Sequence, residues 1–227
     1  MGESMNILKL YNKEINKING NVIAIMLVGS YPHLQKGEGK DIDIFVILDE
    51  GSNQTRRIKI IDGVELDINY FPLEVAKRLI ADGEYFFIYE LSERASVLLD
   101  TGYAETLIKN ARIRYQKGPK KATHEDICLM KHETDALIRR TITETDVVQR
   151  NINAVSCLAK MLKAYFTSRG IWCPKEKNIV NALRENDETL YLMAKEFIED
   201  MDTENLEKIS EKVFHNVCMP DELNIEY

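Results

Sequence analysis

Two kinds of hydrophobic pattern divide this chain near its middle. Up to about residue 118, short apolar runs and alternating segments are interspersed with helical spacing, which is typical of strands mixed with helices. From Thr123 onward the apolar positions recur at helical spacing, and no segment reads clearly as a strand. We therefore expect an α+β fold, with a mixed β-sheet domain and flanking helices over residues 1–118 and an all-helical bundle over residues 119–227.

Four strands are predicted in the first half of the first domain. Residues 22–28 form an apolar run that is too short for a buried helix. Residues 41–48 begin with an alternating Asp-Ile-Asp-Ile and continue as apolar residues, which indicates a strand covered on both faces. Residues 64–70 alternate, and the Asp62-Gly63 pair before them predicts a hairpin with a strand over 56–61.

Residues that typically begin or end helices indicate the bounds of other elements of the first domain. A helix over 5–18 is expected to end at Asn19-Gly20, and Pro72 is expected to begin a helix that ends at Asp82-Gly83. Residues 85–91 are ambiguous between helix and strand. The remaining expectations are a strand over 95–99 and a helix over 103–115.

The second domain is predicted to contain two long helices and three shorter ones. Thr123 and Asp126 have the spacing of a capping box. A second long helix over 146–168 is expected to end at Gly170. It carries the apolar residues Val147, Val148, Ile152, Val155, Leu158, Ala159, Leu162 and Phe166. The shorter helices are expected near 175–185, 188–199 and 205–218.

Two carboxylates stand where the second predicted strand begins. Strand side chains alternate between faces, so Asp41 and Asp43 point the same way, about 6–7 Å apart along the chain. Like charges at that distance repel each other unless a positive group lies between them. A hard divalent cation is the natural candidate, and Mg²⁺ is usually held by one or two carboxylates plus substrate phosphates.

The residues before these acids add a second part to the motif. Gly29-Ser30 directly follows the first apolar run, and ten residues separate Ser30 from Asp41. The whole segment, VIAIMLVGSYPHLQKGEGKDIDIFVIL, resembles the signature of nucleotidyltransferases of the DNA polymerase beta superfamily. That signature is an apolar run, Gly-Ser, a spacer, and then Asp-apolar-Asp-apolar.

The resemblance implies roles for particular residues. A third carboxylate is required on a nearby strand, and Asp67 occupies that place, with Glu65 as the fallback one pleat away. Asp41 and Asp43 would hold one or two Mg²⁺ ions that bind a nucleoside triphosphate. Asp67 would join one metal ion and help to deprotonate the acceptor hydroxyl.

Three further residues are candidates for contacting the nucleotide. By resemblance, Gly29 and Ser30 would position the phosphates through backbone and hydroxyl donors. Lys40, next to the acids, would meet a phosphate or offset the charge of the acids, and a plain solvated lysine is an equal alternative.

The two-domain layout is similar to that of small-molecule nucleotidyltransferases, such as those that inactivate aminoglycosides. In those enzymes a helical domain closes over the catalytic domain, and a loop like 170–177 occurs. In some relatives a glutamate of the helical domain is the general base. Glu133 would fill that role here, with a solvated helix face as the alternative, so the base is either Asp67 or Glu133.

Composition limits the possible partners. The formal net charge of −7 argues against broad nucleic-acid binding, which favours a basic surface. We expect no signal peptide, because the first twenty residues are charged and lack a long apolar run, and no apolar stretch is long enough to cross a membrane. We therefore expect a cytoplasmic protein. The four cysteines lack metal-site spacing, and we interpret them as reduced, buried thiols. A homodimer is possible by resemblance only.

Together these features predict metal-dependent transfer of a nucleoside monophosphate from a nucleoside triphosphate to a hydroxyl of a small molecule. Two alternatives remain open, which are nucleotidylation of a protein partner and non-catalytic nucleotide binding. The sequence does not choose among ATP, GTP, CTP and UTP.

Overall fold

The structure, a computed structural model, describes residues 21–30, 41–61, 63–220 and 222. The chain divides into two compact units, Met1–Lys117 and Gly118–Tyr227. The first unit is a mixed sheet with helices, and the described part of the second contains helices without strands. This confirms the expected α+β class. The helix expected over 5–18 lies outside the described residues.

The sheet of the first unit has five strands in the order β3-β4-β2-β1-β5. The central pair β2 and β4 is parallel, and every other neighbouring pair is antiparallel. The expected strands and the hairpin between β3 and β4 are all present. The bounds are β1 Val22–Val28, β2 Asp41–Leu48, β3 Thr55–Ile61, β4 Val64–Pro72 and β5 Ser96–Asp100.

Among the described residues, three helices and one wide helical turn accompany this sheet. Helix α1 ends at Gly83, which adopts the left-handed conformation that closes a helix. The segment that was ambiguous in the sequence is helical, and it continues directly into a π-helical turn. The bounds are α1 Leu73–Asp82, α2 Tyr85–Tyr89, the π-helical turn Glu90–Arg94, and α3 Ala104–Gln116.

An aromatic cluster joins helix α2 to one face of the sheet. Phe87 of α2 contacts Phe45 of β2 and Phe71 of β4, with ring centroids 5.4 and 4.7 Å away. Phe45 lies two residues after Asp43, so the two side chains share a face of the sheet. The cluster therefore closes one end of this face, and the carboxylates stand at its other end.

On β1, β2 and β4 the opposite face of the sheet is apolar. Its members alternate with the acids along β2 and β4, as the period of a strand requires. They form one buried cluster of Ile25, Leu27, Ile42, Ile44, Val46, Leu66, Ile68 and Tyr70. This alternation fixes which way the acids point, because a slip of one residue would bury them.

Helix α3 is anchored at its start by an aspartate at the end of β5. The Asp100 carboxylate accepts hydrogen bonds from the N–H groups of Gly102, Tyr103 and Ala104 at 2.7, 2.7 and 2.9 Å. Partial desolvation raises the pKa of Asp100, but these N–H donors together lower it below its ordinary value.

The second unit packs its helices around one core. The capping box between Thr123 and Asp126 is present, with both reciprocal bonds made. A short 3₁₀ turn, Glu176–Asn178, precedes the third helix. The bounds are α4 His124–Thr143, α5 Val147–Ser168, α6 Ile179–Asn186, α7 Glu188–Asp200 and α8 Glu204–Val213.

Helix α5 buries a different stripe from the one its apolar residues suggest. Val147, Val148, Ile152 and Val155, which are part of the apolar pattern of this helix, are exposed and do not belong to the core. The buried face begins at Ala154 and continues through Cys157, Leu158, Met161 and Tyr165. Val148, Ile152 and Val155 are four and three residues apart, which is helical spacing. The exposed residues therefore form a second apolar face on the same helix.

The cysteines are free thiols that differ in exposure. Cys128 and Cys157 are buried, whereas Cys218 is exposed, which corrects the expectation that all four are buried. Burial raises the pKa of the Cys157 thiol to about 12. Within the described ranges, no helix is both long and apolar enough to cross a membrane.

Candidate active site

The parallel pairing of β2 with β4 brings the predicted acids together. Asp43 is the register partner of Asp67, and Asp41 is the register partner of Glu65. Paired residues of neighbouring strands point to the same face, and the strands are about 4.8 Å apart. Four carboxylates therefore share one end of a sheet face, and the sequence alone could not show that Asp67 lies opposite Asp43.

The acids differ in exposure along this face. Asp41, the first residue of β2, is exposed, and Asp43 is half-buried. The side chain of Asp67 is only 14% exposed. The deeper pair is thus Asp43 and Asp67, where electrostatic interactions are less screened by solvent.

An arginine of the edge strand β3 binds the deepest acid. Arg56 donates to Asp67 from Nε at 2.8 Å and from Nη2 at 2.6 Å, and Asn69 Nδ2 donates to the same carboxylate at 3.2 Å. The pKa of Arg56 is raised, first by the hydrogen bond to Asp67 and then by the charge of Asp67, with smaller effects of Asp43 and Glu65. Arg56 therefore interacts electrostatically with Asp67, Asp43 and Glu65.

Sequence reasoning missed Arg56. A signal was available in the predicted hairpin, because Arg56 pairs with Asn69 and so lies diagonally across from Asp67. Diagonal cross-strand positions are within reach of a long side chain.

Gly29 lies directly against one of the acids. It follows Val28, the register partner of Asp43, and it has a φ of 73°. A Cβ atom at this position would overlap the Asp43 carboxylate, so only glycine fits both the turn and the acid. The next residue, Ser30, is exposed, and Lys40 lies outside the described residues.

A second carboxylate holds Gly29 from another direction. The Gly29 N–H donates to Glu90 Oε2 at 2.8 Å, and Glu90 is only 5% exposed. Sequence reasoning missed this residue too. Its signal was a glutamate within the otherwise apolar and aromatic run 85–91, where a buried charge needs a partner.

The chemistry of the acids fits a magnesium–triphosphate complex. Mg²⁺ prefers oxygen ligands and is usually held by one or two carboxylates together with phosphates and water. Asp43 and Asp67 supply two such carboxylates, because they are register partners on adjacent strands. Among the described residues, no three His, Cys, Asp or Glu side chains are grouped closely enough to hold a metal ion by themselves. Phosphate oxygens would thus complete the coordination.

The alternative base, Glu133, belongs to the helical unit. Its side chain is 52% exposed, and it accepts a hydrogen bond from Lys160 at 3.2 Å. Both residues line a cavity of about 160 Å³ between α4 and α5, together with Met130, Thr134, Lys163, Ala164 and Thr167. This is the environment of a solvated surface ion pair.

Of the comparisons with known proteins, the match to a family model is the one that identifies a family. A search among curated proteins finds no match. A crystal structure of a nucleotidyltransferase-like protein from Exiguobacterium sibiricum is similar at 13% identity and a TM-score of 0.48, over 94% of this chain and 74% of that one. The nucleotidyltransferase domain family model matches residues 8–148, which is more than half of the chain and includes every residue of the predicted acid site.

The mixed sheet and the helical C-terminal region form a nucleotidyltransferase-like fold. The family match also covers the Gly29-Ser30 turn and the strands that carry Asp43 and Asp67. We conclude that the chain belongs to the nucleotidyltransferase domain family and is a transferase.

Proposed function

We propose that the protein transfers a nucleoside monophosphate from a nucleoside triphosphate to a hydroxyl group of a small molecule. The acceptor oxygen bonds to the α-phosphorus, the bond from that phosphorus to the bridging oxygen breaks, and pyrophosphate leaves. The hydroxyl proton passes to a carboxylate. The observation that carries the proposal is the pairing of Asp43 with Asp67 on parallel strands beside the Gly29-Ser30 turn.

In this proposal the three aspartates have different roles. Asp41 and Asp43 would hold one or two Mg²⁺ ions, and Asp67 would join one of these ions. When bound, magnesium supplies charge neutralisation for the triphosphate and for the departing pyrophosphate. The residues of the chain contribute mainly by fixing positions, because catalysis of this kind is largely positioning and electrostatic stabilisation.

Fewer donors are available to the phosphates than the Gly29-Ser30 motif alone suggests. The Gly29 N–H is already bound to Glu90, so a phosphate would have to displace that bond to use it. We assign the phosphate contacts to the N–H and hydroxyl of Ser30 and to Lys40. Gly29 contributes the space that lets the chain pass against Asp43.

Asp67 is the better candidate for the general base. It lies opposite Asp43 in the same unit, whereas Glu133 is an exposed member of an ion pair with Lys160. A base must lie within hydrogen-bond reach of the proton that it accepts. For Asp67 to accept it, Arg56 must release or share the carboxylate.

Two exposed isoleucines of the edge strand β3 indicate what kind of acceptor the site would bind. Ile58 is the register partner of Asp67, and Ile60 is that of Glu65, so both share the face of the acids. Ile58 is 53% exposed and Ile60 is 70% exposed. An acceptor whose hydroxyl reaches Asp67 from this side covers Ile58, which favours an acceptor with an apolar surface next to that hydroxyl.

A label-transfer experiment tests the proposal. Each nucleoside triphosphate, labelled at the α-phosphate, is incubated with the protein, Mg²⁺ and a cell extract separated into small-molecule and protein fractions. We expect a new labelled compound in the small-molecule fraction, separable from the triphosphate and its hydrolysis products, with wild type and not with Asp43→Asn. Label bound to protein would show that the acceptor is a protein. Absence of any new labelled product in both fractions would contradict transfer and favour nucleotide binding alone.

A further inference from the structure

Glu90 holds the main chain at the nucleotide site, although it lies 61 residues beyond Gly29 in the sequence. We infer that Glu90 is a positioning residue, which fixes the Gly29-Ser30 turn so that Ser30 and Asp43 keep the spacing that a magnesium–triphosphate needs. This inference rests on the proposed function and adds to it a residue outside the acid motif.

The contact between Glu90 and Gly29 has the properties of a strong interaction. The distance from the Gly29 nitrogen to Glu90 Oε2 is 2.8 Å, which is typical of a hydrogen bond to a charged acceptor. Glu90 is 5% exposed, and in such surroundings a hydrogen bond is stronger than in water. A buried carboxylate is also costly, so its presence here needs a reason.

Packing leaves Glu90 little freedom to move. Its neighbour Leu91 is 1% exposed and Ile88 is fully buried, so the segment that carries Glu90 is embedded in the core. Arg112 of α3 also donates to the Ser92 carbonyl oxygen at 3.3 Å within the same turn. This turn is π-helical, a geometry that is rare and is often found at functional sites.

Gly29 is therefore held between two carboxylates. The Asp43 carboxylate lies where a Cβ of Gly29 would be, and Glu90 binds its N–H. Movement of the turn toward β2 would collide with Asp43, and movement away from Glu90 would leave a buried N–H without its acceptor. An unsatisfied buried donor is unfavourable, so the turn has one preferred position.

Two substitutions separate positioning from a general role in folding. Glu90→Gln keeps a carbonyl oxygen that accepts from the Gly29 N–H, whereas Glu90→Leu keeps a similar size and removes the acceptor. Leu91→Ala is the matched control, because it removes buried volume from the same turn and leaves Glu90 in place. All three are compared with wild type by denaturant unfolding, so that any loss of stability is known.

The deciding measurements are the Kd for each nucleoside triphosphate with Mg²⁺ and the amide signal of Gly29 in protein labelled with ¹⁵N-glycine. We expect Glu90→Leu to weaken binding by about tenfold or more, as loss of a charge-assisted hydrogen bond predicts. Its Gly29 amide signal should shift and exchange faster with solvent. Glu90→Gln should weaken binding less than Glu90→Leu does, since it keeps an acceptor for the Gly29 N–H, although a neutral acceptor makes a weaker hydrogen bond than a carboxylate.

The outcomes distinguish this inference from the proposed function. If Glu90→Leu binds the nucleotide as well as Leu91→Ala does, Glu90 is a structural residue only and the inference is wrong. If Glu90→Gln is as impaired as Glu90→Leu, the carboxylate acts by something other than accepting from Gly29, and the inference is also wrong. If wild type itself binds no triphosphate, the proposed function fails first, and the inference fails with it.

Discussion

Arg56 forms a two-point hydrogen-bonded ion pair with Asp67, the acid that lies opposite Asp43 in the sheet. The family resemblance assigns Asp67 to the metal and the acceptor, and a guanidinium competes for the same carboxylate oxygens. Arg56 thus offsets part of the negative charge of the acid cluster, and it would have to release or share Asp67 for a divalent cation to bind there. An arginine in this place makes the site less attractive to a bare cation than the acids alone would be.

Replacing Arg56 should strengthen cation binding. In Arg56→Gln the competing charge is gone, so the affinity for Mn²⁺ without nucleotide should rise, by no more than about fivefold for such an exposed partner. Electron paramagnetic resonance of free Mn²⁺ measures this affinity. Arg57→Gln is the control, because Arg57 is the neighbouring arginine and lies over the Tyr70 ring on the other face. Equal or weaker binding by Arg56→Gln would show that Arg56 does not compete with the cation.

A methyl group at Gly29 should abolish nucleotide binding at a small cost in stability. Gly29→Ala places a Cβ on the Asp43 carboxylate and also holds alanine at a φ of 73°. The unfavourable φ alone costs about 1–2 kcal/mol. We expect that loss in denaturant unfolding, together with loss of nucleotide-dependent thermal stabilisation.

Gly63→Ala is a matched control for this substitution. Gly63 has a φ of 80°, and a Cβ there meets nothing within 4 Å. It should therefore show a similar loss of stability and unchanged nucleotide binding. If both alanine variants bind nucleotide equally well, the contact between Gly29 and Asp43 is unimportant for the site.

Asp100 should stabilise the first unit in a pH-dependent way. Asp100→Ala removes the acceptor for three N–H groups at the start of α3, which should cost about 1 kcal/mol at neutral pH. The pKa of Asp100 in the folded protein lies below 3.8, its ordinary value. The stabilisation is thus complete above that pH and is lost as the pH falls through the lower folded value.

Urea unfolding of wild type and Asp100→Ala at pH 7 and below pH 4 measures this effect. The difference between the two proteins should shrink at the lower pH. Asp82→Ala is the control, since Asp82 lies in the last turn of α1, where a negative charge is unfavourable, so its removal should not destabilise. A difference for Asp100→Ala that is constant with pH would contradict the ionised cap.

The sequence predicted the elements that depend on local pattern. Alternation placed Asp41 and Asp43 on one face of their strand, and Asp62-Gly63 identified the hairpin between β3 and β4, because both signals act between residues close in the chain. The segment 85–91 stayed ambiguous, since its aromatic residues suit either structure. Its helical form is set by packing of Phe87 on Phe45 and Phe71, which lie far away in the sequence.

The contacts between distant parts of the chain that form the site were harder to predict from the sequence. Whether Asp67 faces Asp43 depends on the pairing of β2 with β4, and no local signal fixes which strands become neighbours. Glu90 and Arg56 reach the site from other elements, so the signals in their own segments do not show which group of the site each of them contacts. The exposed valines of α5 show the converse, since an apolar residue on a helix need not belong to the core.

The central claim is that Asp43 binds a magnesium–triphosphate, and thermal unfolding with and without nucleotide tests it most directly. Each nucleoside triphosphate is added with Mg²⁺ or with EDTA to wild type, Asp43→Asn and the control Asp82→Asn. A ligand at a hundred times its Kd stabilises the folded state by about 2.7 kcal/mol. We expect wild type and Asp82→Asn to gain this stability with at least one triphosphate, only with Mg²⁺, and Asp43→Asn to gain none. Equal stabilisation of Asp43→Asn, or stabilisation that does not need Mg²⁺, would contradict the proposed site.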